Sequence, residues 1–266
     1  MEHVLWIGGP PGAGKTTIAR WLARRYGLRL YSSDTRTWAH RDRALAEGVA
    51  AARRWESLSP TARWEQSPDQ LLQMSLHRER GPMVIDDLRA LPTSPLIVAE
   101  GSPLPLSIVS SGSAARARAV WLLPTAAFQE AQFAARGTAA GPAALYRLLR
   151  QLAERDVREH DMRTLTVDGS RPVSEIARAV EGLFRGAVLA GPRADTLDER
   201  RQLLRHMNQA IVAQVLGYHA RPWAAGDPEL VESLFVCECG QPGCEADLLA
   251  TVGEASAGAL LLASHS

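Results

Sequence analysis

The stretch IGGPPGAGKTTIARWLA, residues 7–23, decides how the rest of the chain is read. Gly9, Pro10, Pro11, Gly12, Ala13, Gly14, Lys15 and Thr16 satisfy G-x-x-x-x-G-K-[ST] at every fixed position. The flanks supply the context that the motif requires. HVLWIGG before it is a short apolar run of strand type. KTTIARWLARRYG after it has helical spacing, with Ile18, Trp21, Leu22 and Tyr26 on one face and Arg20 and Arg24 on the other. Gly27 follows where a helix end wants a left-handed residue. Glycines in such a loop let backbone N–H groups wrap phosphates, and the helix N-terminus adds its dipole. Gly9, Gly12, Ala13, Gly14 and Thr17 are therefore expected to line a nucleotide's phosphates. Lys15 is expected to reach the β- and γ-phosphates, and Thr16 to ligate Mg²⁺. ATP is the expected nucleotide; guanosine triphosphate fits the same loop.

Composition narrows the class. The chain has 266 residues, 46% hydrophobic and 22% charged, with a formal net charge of +1, enough for one good core and a small second one. The balanced charge offers no polyanion-binding surface, so nucleic acid is not an expected partner. No apolar run approaches the ~20 residues of a membrane helix. MEHVLWIGG reads as a strand entering a loop and not as a signal peptide, so a cytoplasmic protein is expected. Of 30 Lys and Arg residues only Lys15 is lysine, a bias that a GC-rich genome accounts for. That lone lysine sits where a compact point charge must pass between phosphates, a task ill suited to the arginine fork.

The loop alone does not say whether a phosphoryl group is transferred or hydrolysis drives a shape change. Carboxylates further along bear on that. LRLYSSD reads as a short second strand ending on Asp34. Ligands in open α/β sheets sit beyond the carboxyl ends of strands, which would set Asp34 facing the γ-phosphate from the acceptor side. A carboxylate there can take the proton of an attacking hydroxyl. Asp34 would also serve as a plain helix N-cap, and the two roles are compatible.

A second carboxylate is wanted near Mg²⁺. MVIDD offers Asp86 and Asp87, and LIVAEG offers Glu100. The two runs cannot be adjacent parallel strands, because the short link with two prolines between them is less than the crossover of a dozen residues such strands need. PLIVAEG has the strand shape, so Glu100 is expected as the metal-side carboxylate, with Asp86 and Asp87 at the end of a helical region.

Strand, GxxxxGKT, helix, a short strand ending in Asp34, a helical insert and then VAEG together resemble the small P-loop kinases. That group includes adenylate, shikimate and gluconate kinases and chloramphenicol phosphotransferase. The opening WIGGPPGAGKTT is also similar to that of actinobacterial ATPase-like proteins. The kinase resemblance covers roughly residues 1–187. It implies a P-loop NTPase fold, a parallel sheet with helices on both faces, and an Asp34 that contacts or deprotonates the acceptor hydroxyl. It further implies a lid between the fourth strand and the last helices, whose arginines neutralise the migrating phosphoryl group. Arg136, Arg155 and Arg158 fall in that interval, although exposed helix arginines are also what this composition would give. The loop DGSRP, residues 168–172, corresponds to the adenine side, which makes Arg171 a candidate there.

The helical insert, Thr35 to Gly81, is expected to bind the acceptor. Ser67 to Gln70 reads as a capping box with proline at the first helical position. Trp38, Arg41 and Arg43, close after Asp34, are expected to touch a ring-bearing or anionic acceptor. Trp55 and Trp64 read as the core of a small helical layer.

A domain boundary is expected near residue 190, giving a P-loop kinase-like domain over 1–189 and a smaller α+β module over 190–266. The module opens with a capping box, Thr196 and Glu199, on a helix whose Leu203, Leu204, Met207, Ile211, Val215 and Tyr218 recur at helical spacing. It then carries all 3 cysteines of the chain, Cys237, Cys239 and Cys244, around a Gly-Gln-Pro-Gly turn. An odd set so closely spaced suits Zn²⁺ better than disulfides. If LFVCEC, EADLLATV and GALLLASH form a three-strand meander, His265 returns beside Cys244 as the fourth ligand, in preference to His206 and His219. Such closed coordination is structural. A CEC…C segment followed by a late histidine is also similar to small domains recurrent in actinobacterial proteins. The module offers a surface for dimerisation or docking.

The leading expectation is an ATP-dependent phosphotransferase acting on a hydroxyl of a small molecule. Two others stand beside it: a regulatory ATPase working through the zinc module, and a 5′-hydroxyl polynucleotide kinase, against which the near-neutral charge counts.

Overall fold

A computed structural model of the chain describes residues 1–104, 106, 109 and 116–265. Its centre is a five-stranded, wholly parallel sheet: β1 (Val4–Gly8), β2 (Arg29–Ser32), β3 (Ile97–Gly101), β4 (Ala119–Pro124) and β5 (Thr164–Val167), in the order β2-β3-β1-β4-β5. Every residue of β1 and β3 is buried, as expected of parallel strands covered on both faces. Register places Ile7 opposite Glu100, and Gly8 opposite both Gly101 and Trp121, so β1 and β3 end level while β4 runs on to Pro124.

Alternation along the strands builds two cores. Leu5, Ile7, Val98, Val120 and Leu122 face α1 (Lys15–Tyr26) and α9 (Val173–Ala190), together with Ile18, Leu22, Val180 and Phe184. Val4, Trp6, Ile97, Ala99 and Trp121 face the opposite layer, packing on Val84, Ile85 and Leu88 of α6 (His77–Ala90).

Between β2 and β3 lies the helical insert: α2 (Thr37–Ala46), α3 (Ala50–Ser57), α4 (Pro60–Trp64), α5 (Pro68–Met74) and α6. The Ser67–Gln70 capping box is formed, with Pro68 at the first helical position. After β4 come α7 (Ala126–Ala135) and α8 (Ala140–Glu159). Leu145 and Leu149 of α8 pack with Trp55, Leu71 and Met74, so α8 is seated on the insert. Trp55 lies in that core as expected. Trp64 meets it edge-on at 5.5 Å but is partly exposed.

The segment after residue 190 runs through α10 (Leu197–His219), a two-stranded antiparallel ribbon of β6 (Glu232–Val236) and β7 (Asp247–Thr251), and the short α11 (Val252–Ala257). The Thr196–Glu199 capping box is formed. Leu204 and Met207 of α10 and Val236 of β6 belong to the same core as the α1 face of the main sheet. Backbone bonds tie the start of the segment down as well, from Ala194 N to Gly27 O at 2.8 Å and from Leu96 N to Pro192 O at 2.9 Å. The change of composition near 190 therefore falls within continuous packing.

Two local expectations are corrected. β2 ends at Ser32, and Asp34 opens a single 3₁₀ turn, Asp34–Arg36, because the chain must bend from the sheet into α2. GALLLASH is not a third strand: Thr251 caps α11 through a capping box with Glu254, and that turn of helix replaces the hairpin. No helix among the described residues is long and apolar enough to cross a membrane.

Candidate active site

The phosphate loop passes from β1 to α1 through Gly9, Gly12 and Gly14, all at positive φ. At Gly9 the need is steric as well, since a Cβ would stand 2.3 Å from Leu122 O. Lys15 is buried, and its Nζ donates to Pro10 O at 2.9 Å, which holds the ammonium inside the loop it closes.

Beneath the loop lies Glu100. It is wholly buried, and its Oε1 accepts hydrogen bonds from Thr16 Oγ1 at 3.0 Å and from Ser32 Oγ. Burial and then the charge of Asp34 push its pKa up to about 7, against the opposing pull of Lys15 and the two hydroxyls. Its other oxygen, Oε2, is buried without a hydrogen-bond partner among the described residues. A buried carboxylate with one oxygen tied to Thr16 and the other unpartnered fits a hydrated Mg²⁺, which takes one or two carboxylates and keeps several waters.

Asp34 is exposed on the rim above Glu100. The backbone that delivers it is fixed from three sides. Ser33 N donates to Glu100 O at 3.0 Å, the buried Arg80 donates through Nη2 to Ser33 O, and Gly101 lies against the Ser33 side chain. Asp34, Lys15 and Thr16 open onto one cleft of about 330 Å³, closed on the far side by Gln129, Arg136 and Tyr146. Burial raises the Tyr146 hydroxyl pKa, Asp34 adds to the rise, and Arg136 opposes it.

Of the expected lid arginines, Arg136 alone lines that cleft. Arg155 is paired with Asp156 at 3.1 Å and with Glu159 at 3.6 Å, and Arg158 is exposed near the end of α8. Neither lines the cleft, because α8 presents Tyr146 there from its first half and the second half runs on past β4. Arg171 donates to Thr166 O at 3.2 Å and is exposed; its loop leads into Val173, which packs beside Gly14.

The acceptor expectations for Trp38, Arg41 and Arg43 are not met by their placement. Trp38 packs on Tyr218 and Trp223, with ring centroids at 5.5 and 5.9 Å. Arg41 is buried, donates to Met74 O at 2.8 Å and stacks 4.7 Å over Trp55. Arg43 is exposed and pairs with Glu47 and Asp86. Their partners lie on α3, α5, α6, α10, the end of α2 and the segment after α10, so these side chains join elements together. Asp87, held in reserve as a metal ligand, instead accepts from Tyr31 Oη at 2.9 Å and Arg36 Nε at 3.1 Å, and bonds His40 Nε2 at 2.9 Å.

Several cleft residues were not anticipated. Gln129, Gln132 and Phe133 line it from one side of α7, which the expected Arg136 continues at the helix end. Their i, i+3, i+4, i+7 spacing, two amides among them, is the signal that could have found them. Ser32, the second partner of Glu100, carries no such mark.

A second group of reactive side chains lies in the C-terminal segment. Cys237, Cys239, Cys244 and His265 bring their ligand atoms within 4.8 Å of one another. His265 Nδ1 is 3.5 Å from Cys237 Sγ and 3.7 Å from Cys244 Sγ. The route differs from the expected meander, but Glu238 N still bonds Leu260 O at 2.7 Å and brings the chain end back alongside Cys237. Donors of this kind, three sulfurs and an imidazole, can hold a metal ion.

The sheet order, the loop between its central strand and the first helix, and the carboxylate at the end of the neighbouring strand define a P-loop NTPase fold. No protein-family model matches the chain, and no curated protein does. Among solved structures it is similar to shikimate kinase from Acinetobacter baumannii in complex with shikimate, at 18% identity and a TM-score of 0.40, over 69% of this chain and 93% of that one.

Proposed function

We propose that the chain is an ATP-dependent phosphotransferase whose acceptor is a hydroxyl group of a small molecule. The observation that carries this reading is the position of Asp34, which opens onto the same cleft as Lys15 and Thr16 while Glu100 lies buried below. Backbone N–H groups of residues 12–16 would cradle the phosphates, and Lys15 would exchange Pro10 O for a β- or γ-phosphate oxygen. Thr16 and Glu100 would hold Mg²⁺, the latter through a water on its free Oε2. Bound there, the ion would neutralise the phosphate oxygens. Asp34 would orient the acceptor hydroxyl and take its proton as the oxygen meets phosphorus. Arg136, across the cleft, would offset the charge of the migrating group. We infer further that Cys237, Cys239, Cys244 and His265 hold Zn²⁺ in a closed site, apart from the transfer chemistry.

The test is ATP turnover with and without a library of hydroxyl-bearing metabolites, nucleosides and antibiotics, alongside Asp34→Asn. An acceptor that gains phosphate, with transfer lost in Asp34→Asn while ATP still binds, supports the reading. Hydrolysis that ignores every added compound and is unchanged in Asp34→Asn overturns it in favour of a regulatory ATPase.

A further inference from the structure

We propose that the Cys237–Cys239–Cys244–His265 zinc site is a clasp on the phosphate-loop helix, so that loading the metal tightens nucleotide binding at the loop that opens that helix. The proposal rests on the zinc and nucleotide readings above and goes beyond both by joining them.

The geometry of the four donors supports zinc. A tetrahedral ion at about 2.3 Å from sulfur and about 2.0 Å from nitrogen holds its sulfur and nitrogen ligands about 3.5 Å apart. The two sulfur–nitrogen separations to His265 are 3.5 and 3.7 Å. Two of the sulfurs also receive backbone N–H groups, Cys239 Sγ from Gln241 at 3.4 Å and Cys237 Sγ from Leu262 at 3.3 Å. Such outer bonds orient thiolate ligands and stabilise their charge. Gly240 and Gly243, both at positive φ, let the chain turn tightly between the ligands.

The same short segment is bonded on its other side to α1. Immediately after Cys244, Glu245 accepts from Trp21 Nε1 at 2.8 Å. Next, Ala246 O and Asp247 Oδ1 both accept from Arg24 Nη1, at 3.2 and 2.8 Å. Cys237 N donates to Ala246 O at 3.0 Å, which ties that residue back to the first ligand. From α10, Arg200 donates to Gly240 O at 2.8 Å and to Arg24 O, bridging the cysteine turn to the helix a second time.

Trp21 and Arg24 sit about two turns along the helix whose first residue is Lys15. Without the metal, three thiols and an imidazole give residues 237–247 little to order them, because the segment is short and turn-rich. Its acceptors then no longer hold α1 in place. The phosphate loop, continuous with that helix, must be ordered by the nucleotide at its own cost, and affinity falls.

Zinc content of the purified full-length chain is measured first, then the dissociation constant for a fluorescent ATP analogue with Mg²⁺. The second measurement is repeated after a zinc-selective pyridyl chelator and desalting, at a temperature where circular dichroism shows the main fold intact. The expected result is one zinc per chain, lost in Cys244→Ser and in His265→Ala, and nucleotide binding weakened about five-fold or more on zinc removal, the lower range of coupling between sites. Trp21→Phe leaves all four ligands in place. It is expected to keep its zinc and weaken nucleotide binding about five-fold, the worth of one hydrogen bond. Stoichiometric zinc with unchanged nucleotide affinity, after chelation or in Trp21→Phe, overturns the clasp and leaves the metal site standing. A chain without zinc overturns both. A zinc-loaded chain that binds no nucleotide overturns the clasp together with the functional reading and spares the metal site.

Discussion

Thr16 Oγ1 lies 3.0 Å from Glu100 Oε1, a bond that joins the first turn of α1 to the end of β3 across 84 positions of sequence. It links the two groups expected at Mg²⁺ before any ligand arrives, and it leaves Glu100 Oε2 buried and without a partner among the described residues. Glu100→Gln keeps the shape of that side chain and removes its charge. Turnover is expected to fall about 100-fold or more, as when a preorganised electrostatic partner is lost. The free protein is expected to be at least as stable as wild type, because a desolvated carboxylate with an unpaired oxygen is costly to bury. Steady-state kinetics and thermal unfolding on the same preparation check both halves. Activity kept within a few-fold would remove Glu100 from the site.

Arg136 stands across the cleft from Asp34, whereas Arg158 points to solvent. Arg136→Ala is expected to lower phosphoryl transfer about 100-fold with little change in the dissociation constant for ATP, because its charge matters most while the phosphoryl group migrates. Arg158→Ala is expected to stay within two-fold of wild type. Equal losses in the two variants would mean that neither arginine acts through the cleft.

Gly101 shows how closely the strand ends are fitted. Its φ is +153°, and a Cβ there would stand 1.8 Å from Ser33 Oγ, one residue before Asp34. Gly101→Ala must displace Ser33 and with it the backbone bond to Glu100 O. The expected outcome is a loss of transfer comparable to that of Asp34→Asn, with ATP affinity much less affected, since the phosphate loop lies on other strands. Titration of ATP binding beside a turnover assay separates the two effects.

Asp87 gives the chain an acid-sensitive joint. Burial alone would raise its pKa, but bonds from His40 and Tyr31 and the charge of Arg36 outweigh it and hold the carboxyl at about 2. A carboxylate depressed in the folded state adds stability that is fully present above its ordinary value near 4. That stability is lost as pH falls from there toward about 2. Asp87→Asn should therefore lower stability at neutral pH and flatten the loss between pH 4 and 2. Denaturant unfolding across that range reads the difference. Parallel acid limbs for wild type and variant would count against the role.

Much of the site could be read from local pattern, for physical reasons. The phosphate loop is a contiguous motif whose function depends on backbone shape. Glu100 was separable from Asp86 and Asp87 because a short proline-bearing link cannot cross over between parallel strands. The cysteines of the Cys237–Cys239–Cys244–His265 cluster stood out by their spacing, and His265 by an assumed meander, although a capped helical turn stands where a strand was expected. What could not be read were side chains whose partners arrive from far along the chain. Arg41 and Trp38 follow Asp34 closely and look like a cationic, aromatic pocket wall, yet their neighbours are Met74, Trp55, Tyr218 and Trp223. Tyr146 reaches the cleft only because α8 folds back over it, which no local period announces.

Trp38 offers the sharpest check on that correction. Its ring forms a three-membered cluster with Tyr218 and Trp223, with Arg221 stacked 5.0 Å away and Arg41 at 5.8 Å. Arg221 also donates to Trp38 O at 3.3 Å and pairs with Asp42 at 2.6 Å, so α2 and the end of α10 are joined there by both rings and charges. Trp38→Ala opens a hole in this junction and is expected to cost about 3 kcal/mol of stability, at the low end for removing a large aromatic. Because the ring does not face the cleft, KM for the acceptor should stay within two-fold of wild type at a temperature where the variant is folded. A large rise in KM with unchanged stability would return Trp38 to the acceptor site. A fall in stability with unchanged KM would fix it as the joint between the insert and the C-terminal helix.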